Sequence, residues 1–446
     1  MNLTTDAKKL IRLLLDSGFK AYAVGGCVRD SVLGRPAGDI DITTSAKPEE
    51  TEAILTANGI HFFETGLQHG TITAVLHHDN YEITTFRCDG EYLDNRHPSE
   101  VVFVDDLRLD LSRRDFTMNA LAYNEDEGFV DAFGGLEDIQ RRLIRAVGEP
   151  VRRFEEDGLR IMRALRFAAV LGFAIEPATR KALFTCKELL NNIAGERLFA
   201  ELKKLLLGDY VEQVLLEYRD ILAVVIPELR PCFDCEQNNR WHLDDVYTHI
   251  VKTVAVTPKK DFLRFAALLH DVAKPQCKTT DEKGDHFFFH PQHSAETAQK
   301  VMSRLHVSNE FRDKVITLIE NHDKHITTRP SNIKKWLRQL GDEMIYDFID
   351  LKIADLSTHN LELAEVEIEA LHSVKNAVTQ ILNSGEPYRI SDMPINGNDL
   401  KAIGFAGRDI QTELERLVKI ISGNPECNTR EKLLKQAERD YDETTN

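Results

Sequence analysis

The segment Tyr22–Thr43 constrains this chain more than any other. It reads Tyr-Ala-Val-Gly-Gly-Cys-Val-Arg-Asp-Ser-Val-Leu-Gly-Arg-Pro-Ala-Gly-Asp-Ile-Asp-Ile-Thr. An apolar strand, Tyr22–Val24, runs into Gly25-Gly26, a short helical stretch from Val28 to Leu33 follows, and a second strand carries Asp39 and Asp41. Side chains alternate along a strand, so the two aspartates share a face while Ile40 and Ile42 point into a core. Paired carboxylates on one strand offer the hard oxygen donors that magnesium requires. A glycine pair entering a helix lets backbone approach a phosphate closely, with helix N–H groups aimed at it. Metal-assisted phosphoryl or nucleotidyl transfer is the chemistry these residues imply.

At 446 residues the chain is long for a single core, and two to four units are expected. A hydrophobic content of 42% with 29% charged residues is that of a soluble globular protein. No apolar run is long enough for a transmembrane helix. The polar N-terminus does not resemble a secretory signal. Seven scattered cysteines fit a reducing cytoplasm, and the single Cys232-x-x-Cys235 pair has no second pair to complete a zinc site. The net charge of −17 disfavours indiscriminate binding to nucleic acid. Arginines nevertheless cluster from Arg141 to Arg166, and an RNA partner is expected to meet that region.

Residues Thr5–Leu15 read as a capped amphipathic helix and Lys47–Asn58 as a second one. Ile72–Leu76 and Tyr81–Phe86 form a hairpin signal. Glu82, on the second strand, is open between a third acidic group beside Asp39 and Asp41 and a solvent-facing side chain. The polar stretch around Asp89–His97 reads as a loop before a strand at Val101–Val104. Arg113, Arg114 and Asp115 sit near a helix start. Strands end by about residue 147. Phe154 to Ala169 reads as one helix with acids at its start and arginines every third residue. On such a helix Asp157 and Arg160 are neighbours, Arg163 lies further round, and Arg166 is nearly opposite Asp157.

Taken in order, Gly25-Gly26-x-x-Arg29-Asp30, Asp39-x-Asp41, Arg113-Arg114-Asp115-Phe116-Thr117-x-Asn119-Ala120, Asp131…Gly134-Gly135 and Glu156-Asp157-x-x-Arg160 with Arg163 and Arg166 resemble the motifs of class II CCA-adding tRNA nucleotidyltransferases. These belong to the polymerase β superfamily and are relatives of bacterial poly(A) polymerases. Glu196-Arg197 with Glu201 resembles the last motif of that set. The resemblance implies an α+β protein with a mixed α/β nucleotidyltransferase head, polymerase β-like, followed by an all-α neck, an HD-type body and a tail. Boundaries are expected at 1–147, 148–225, 226–360 and 361–446. It also implies that Asp39 and Asp41 are catalytic and bind Mg2+, and that Gly26 and Arg29 hold the nucleotide's phosphates. Arg114 would contact the nucleotide, Asp157 and Arg160 would read its base, and Arg163 and Arg166 would assist. The implied substrates are CTP, ATP and a tRNA 3′ end. The loop at Asp89–His97 matches the family's flexible loop, whose presence goes with addition of the terminal A.

Further on, His249, His270-Asp271, His293, His322 and Asp355 occur in an order that resembles an HD-type metal phosphohydrolase domain. Imidazoles and carboxylates from separate helices can enclose one or two divalent transition metals. The alternatives to CCA addition are an A-adding enzyme, a poly(A) polymerase, or chiefly an RNA-end phosphohydrolase.

Overall fold

The computed structural model describes the chain apart from residues 2, 37, 67–69, 91–100, 283 and 446. It divides into two compact units, Met1–Pro227 and Glu228–Asn446. The first begins with helix α1 (Thr5–Asp16), capped by Thr4 Oγ1, and strand β1 (Ala21–Val24). Helix α2 (Gly26–Val32), β2 (Asp41–Thr44), α3 (Pro48–Ala57), β3 (His61–Gly66), β4 (Thr71–Leu76) and β5 (Asp79–Thr85) follow. Next come β6 (Arg87–Asp89) and β7 (Val101–Phe103), which pair with each other, then α4 (Leu107–Ser112), β8 (Leu121–Asn124) and β9 (Gly128–Asp131). The main sheet has the order β3-β4-β5-β2-β1-β8-β9. Only β2 and β5 pair in parallel within it, with Ile42 opposite Ile83.

That register fixes the site. Ile42 and Ile83 are buried on one face, so Asp41 and Glu82, one residue earlier on each strand, emerge together on the other. The hairpin turn between β4 and β5 is tight because His77 and His78 both adopt positive φ, 48° and 76°. Beneath the sheet, Tyr22, Val24, Phe86 and Ala122 pack on Leu107 and Leu111 of α4.

Helices complete the unit: α5 (Gly135–Gln140), α6 (Pro150–Glu156), α7 (Leu159–Leu171), α8 (Pro177–Cys186), α9 (Gly195–Leu206), α10 (Val211–Glu217) and α11 (Arg219–Val225). Two residues each of β10 (Leu143–Ile144) and β11 (Ala174–Ile175) pair in parallel, so strand structure extends past residue 147. The helix expected from Phe154 to Ala169 is broken. Asp157 is extended, at φ −143° and ψ 104°, and its carboxylate accepts from Leu159 N at 3.1 Å. A short acidic side chain that bonds nearby backbone competes with helix continuation. The adjoining Gly158 packs where a Cβ would lie 3.1 Å from that of Leu189.

The second unit holds α12 (Val246–Val256), α13 (Asp261–Leu269), α14 (Lys274–Cys277), α15 (His290–Arg304), α16 (Asn309–Asn321), α17 (Pro330–Leu356), α18 (Leu361–Ser384), α19 (Gly397–Ile403), α20 (Arg408–Gly423) and α21 (Arg430–Thr445). Helix α17 breaks at Gly341, which adopts φ 80° and ψ 176°. A hairpin, β12 (Lys278–Asp281) with β13 (Gly284–Phe287), interrupts this otherwise helical unit. Leu400, Leu417, Ile421 and Leu433 form a separate core under its last three helices.

Gly135 supplies a test of the packing between α5 and the Thr117–Asn119 turn. A Cβ there would lie 2.1 Å from the Thr117 carbonyl oxygen, against backbone that cannot yield. Gly135→Ala is expected to destabilise the first unit by about 1–3 kcal/mol in urea unfolding, the usual cost of overpacking.

Candidate active site and candidate metal centre

In the first unit, Asp39, Asp41 and Glu82 line a cleft of about 720 Å3 together with Thr73 and Tyr81. Asp39 lies in a bend just before β2 rather than on it, and Asp41 is the strand's first residue. Burial raises the Asp41 pKa, and Glu82 and Asp39 raise it further against the opposing pull of Arg114. Glu82 is thus both exposed to the cleft and electrically coupled to Asp41. Three acidic side chains around one space, pushing a pKa up, form an oxygen-donor set that suits Mg2+.

Beside them Gly25 turns at φ 81° and precedes α2, whose first residue is Gly26. A Cβ on Gly25 would come within 3.1 Å of Arg114 Nη1, so the glycine admits that guanidinium. Arg114 is partly buried, and desolvation lowers its pKa while Asp110 and Asp41 oppose the shift. Asp110 also takes a two-pronged bond from Arg113 at 3.0 and 2.8 Å.

One carboxylate ties the sheet region to α7. Asp115 Oδ1 accepts from Phe116 N at 2.8 Å and Asn119 Nδ2 at 3.0 Å, while Oδ2 accepts from Arg163 Nε and Nη2 at 2.8 and 2.6 Å. Burial opposes its charge, but Arg163 and Asn119 outweigh burial and hold the pKa far below the usual carboxylate range. Asn119 Oδ1 in turn accepts from Arg29 Nη1 at 2.7 Å. Arg166 pairs with Glu201 of α9 at 2.8 Å and lies 4.1 Å over the Phe167 ring, with Arg29 5.0 Å from the same ring. Arg29, Arg163 and Arg166 therefore form one connected group.

Asp157 and Arg160 are not paired side chain to side chain. Asp157 Oδ2 accepts from Arg197 of α9 at 3.0 Å. Arg160 donates to Glu156 at 2.7 Å and to the carbonyls of Arg153 and Arg113, both at 2.9 Å. The helical-wheel expectation fails at this point because Asp157 precedes α7 instead of lying on it. The loop expected around Asp89–His97 falls mostly outside the described residues.

In the second unit, His249, His270, Asp271, His322 and Asp355 converge; His293 does not. His293 is half exposed, 3.5 Å from Glu296, because it stands three residues and most of a turn into α15. His290, the first residue of that helix, takes its place, with Nε2 3.2 Å from Asp271 Oδ1. His249 and His270 lie 3.3 and 3.2 Å from Asp271 Oδ2, and 3.0 and 3.6 Å from Asp355 Oδ1. His322 stands 3.7 Å from Asp271 Oδ1. Three further residues were not marked by the sequence reading. Lys274 Nζ is 2.7 Å from Asp271, His359 Nε2 is 3.3 Å from Asp355, and His242 packs against His249 and His359. The i,i+3 step from Asp271 and the i,i+4 step from Asp355 were the available signals.

The imidazoles are aimed by a repeated local bond. Nδ1 of His270, His290 and His322 donates to the carbonyl three residues back, at 2.8, 2.7 and 2.7 Å. Thr358 Oγ1 donates to Asp355 O and accepts from His249 Nδ1 at 3.0 Å. With the proton on Nδ1, each Nε2 presents a lone pair towards carboxylate oxygens. Such an arrangement needs a positive charge at its centre, which a metal ion supplies. Without one the cluster must take up a proton: burial opposes it, yet Asp271 and Asp355 raise the His270 pKa to about 10. Burial and the charge of His270 lower the pKa of His322. Donor chemistry and orientation both fit a divalent transition metal.

With that geometry in view, residues 21–145 match the poly A polymerase head domain, 172–233 a probable RNA and SrmB-binding site of polymerase A, and 246–358 the HD domain. The chain is 28% identical to the Bacillus stearothermophilus CCA-adding enzyme solved in complex with CTP, over 98% of each chain, with a TM-score of 0.74. The chain is similar to class II CCA-adding enzymes in sequence and in fold. The CCA-adding enzyme of Limosilactobacillus reuteri is 44% identical over 247 residues, 54% of this chain and 60% of that one. That of Limosilactobacillus fermentum is 50% identical over 209 residues, 47% of this chain and 51% of that one. The matched region thus spans little more than half the length of these curated relatives. The Thermotoga maritima CCA-adding enzyme complexed with tRNA shares the fold, at 19% identity and a TM-score of 0.55. Among the described residues, no helix is long and apolar enough to cross a membrane.

Metal analysis of the purified protein is expected to find stoichiometric transition metal in wild type and His293→Ala. His270→Ala and His290→Ala should reduce it severalfold. Equal retention in all three variants would remove the cluster from consideration.

Proposed function

We propose that the protein adds or repairs the 3′-terminal CCA of tRNA, using CTP and ATP and releasing pyrophosphate. The observation that carries this reading is the placement of Asp39, Asp41 and Glu82 on one cleft, beside the Gly25-Gly26 turn and Arg114. Mg2+ bound by Asp39 and Asp41 would lower the pKa of the attacking hydroxyl and offset charge on the triphosphate. The RNA 3′-oxygen joins the α-phosphorus, and the bond to the β-phosphate's bridging oxygen breaks. Gly26 and Arg29 hold phosphates in this reading, and Arg114 meets the nucleotide. A proposed division into head (1–147), neck (148–225), HD body (226–360) and tail (361–446) is supported by the compact-unit boundary at 227/228.

Base choice follows from donor and acceptor patterns. Cytosine and adenine each show an amino donor beside a ring-nitrogen acceptor, whereas uracil and guanine show a carbonyl beside an N–H. A carboxylate only accepts and a guanidinium only donates, so Asp157 with Arg160 accepts C and A and rejects U and G. The bonds to Arg197 and Glu156 keep both groups oriented before a nucleotide arrives. Arg163 and Arg166 support them through Asp115 and Glu201. Each bidentate contact should discriminate by about 1–3 kcal/mol. The match of residues 172–233 to a probable RNA-binding region supports a tRNA partner, and seven free cysteines support a cytoplasmic location.

The convergent histidines favour a second activity, hydrolysis of a phosphate ester in the HD body. A divalent transition metal held there by His249, His270, Asp271 and Asp355 would supply a water of lowered pKa.

The test is incubation of tRNAs ending before CCA, after C and after CC with each nucleoside triphosphate. Templated-length CCA addition is expected. Extension by A alone, and only from the CC end, would indicate an A-adding enzyme, and long A tails a poly(A) polymerase. Asp41→Ala should abolish addition of both nucleotides. Asp157→Ala should chiefly relax base choice, raising UTP incorporation about tenfold or more relative to CTP.

A further inference from the structure

On the sheet of the first unit, the face that carries Asp41 continues well past the acids. Asp41 of β2 lies beside Glu82 of β5, Glu82 is opposite Thr73 of β4, and Thr73 is opposite Phe63 of β3. Residues in register share a face, so these four form a row across four strands. All four line the cleft of about 720 Å3. The row ends on the edge strand, where Phe63 is 53% exposed and its ring lies 4.7 Å from that of His61. An irregularity between Phe63 and Gly66 interrupts the β3–β4 pairing, which blunts this edge against another strand while leaving the ring uncovered.

In-line transfer decides what this half of the cleft receives. The attacking and leaving oxygens lie on opposite sides of the phosphorus. Gly25-Gly26 follows β1, whose Val24 is opposite Asp41, so phosphates held at that turn and at Arg114 lie on the β1 side of Asp41. The hydroxyl must then arrive from the β5 side, over Glu82 and Thr73. Beyond Glu82 the row changes character. Thr65 Oγ1 and Thr73 Oγ1 bond each other at 2.8 Å, and Phe63 follows. None of these three is charged, so they suit a base rather than a phosphate. Phe63 stands three strand spacings from Asp41, about 14 Å. The base of a terminal nucleotide does not reach that far from its own 3′-hydroxyl, whereas the base of the next nucleotide does.

We propose that Phe63 is a stacking platform for the acceptor strand, holding the base next to the RNA's 3′-terminal nucleotide while the terminal nucleotide lies over Thr73 and Glu82. The ring touches the RNA and not the incoming triphosphate, and it places the terminal hydroxyl by fixing the base behind it. Stacking tolerates any base, because every base has a π-face. The platform therefore sets the register of the RNA end without reading its sequence. This rests on the reading of Asp39 and Asp41 as a nucleotidyl-transfer centre.

Fluorescence anisotropy tests this on the full chain, with a 5′-labelled tRNA ending in CC, in Mg2+ and without nucleoside triphosphate. Phe63 is exposed, so its removal opens no cavity. Phe63→Ala should weaken tRNA binding about tenfold, and Phe63→Tyr, which keeps the ring, by less than about twofold. An abasic residue at the penultimate position should weaken binding to wild type about tenfold but add nothing to the loss in Phe63→Ala, because ring and base share one contact. In turnover, Phe63→Ala should raise the KM for tRNA and leave that for ATP unchanged. Undiminished binding by Phe63→Ala, an equal loss in Phe63→Tyr, a matching rise in the KM for ATP, or an abasic penalty as large in Phe63→Ala as in wild type would overturn the proposal. Wild-type protein that binds this RNA through the ring yet adds neither C nor A to tRNA would dispose of the CCA reading alone.

Discussion

The first unit depends on an ion pair between the buried carboxylate of Asp115 and the partly exposed guanidinium of Arg163. Its carboxylate is anchored on one side to backbone and Asn119, beside the sheet, and on the other to a guanidinium of α7. An isolated buried charge costs several kcal/mol, so removal of Arg163 would strip Asp115 of its main compensation. Through Asn119 the same pair sets Arg29, and Glu201 links Arg163 to Arg166. Residues far apart in the sequence thereby hold fixed positions relative to one another. The arginine-rich stretch is largely a scaffold of satisfied charges.

The two sites solve opposite electrostatic problems. In the cleft of the first unit, carboxylates crowd together and Arg114 offsets them only partly, which calls for a hard cation. In the second unit, buried imidazole lone pairs face buried carboxylates, which calls for a softer one.

Much of the first site was legible from the chain. Period-two alternation placed Ile42 inside and Asp41 outside, and β-branched runs marked β4 and β5. The parallel β2–β5 register was not legible, because strand neighbours distant in sequence follow from tertiary packing, and with it went the position of Glu82. Helical periodicity misled at Asp157, where one side-chain-to-backbone bond overrides a run of good helix formers. The family resemblance misled at His293. Two histidines three apart look equivalent in a sequence, but only His290 sits at the junction of β13 and α15, where its ring turns inward. The β12–β13 hairpin was missed because its strands have four residues each and lack a run of buried apolar side chains.

The repeated Nδ1-to-carbonyl bond has a consequence for which ion the second unit would carry. His270 and His322 cap the ends of α13 and α16, so their rings are anchored by the helix termini themselves. A cage aimed by backbone does not have to be assembled by its guest. Its shape is common to several first-row ions, whose intrinsic affinities follow a fixed chemical ranking rather than the protein's preference. Occupancy is then decided outside the molecule, by the concentrations a cell maintains. The same polypeptide would carry different metals when grown in media of different trace composition.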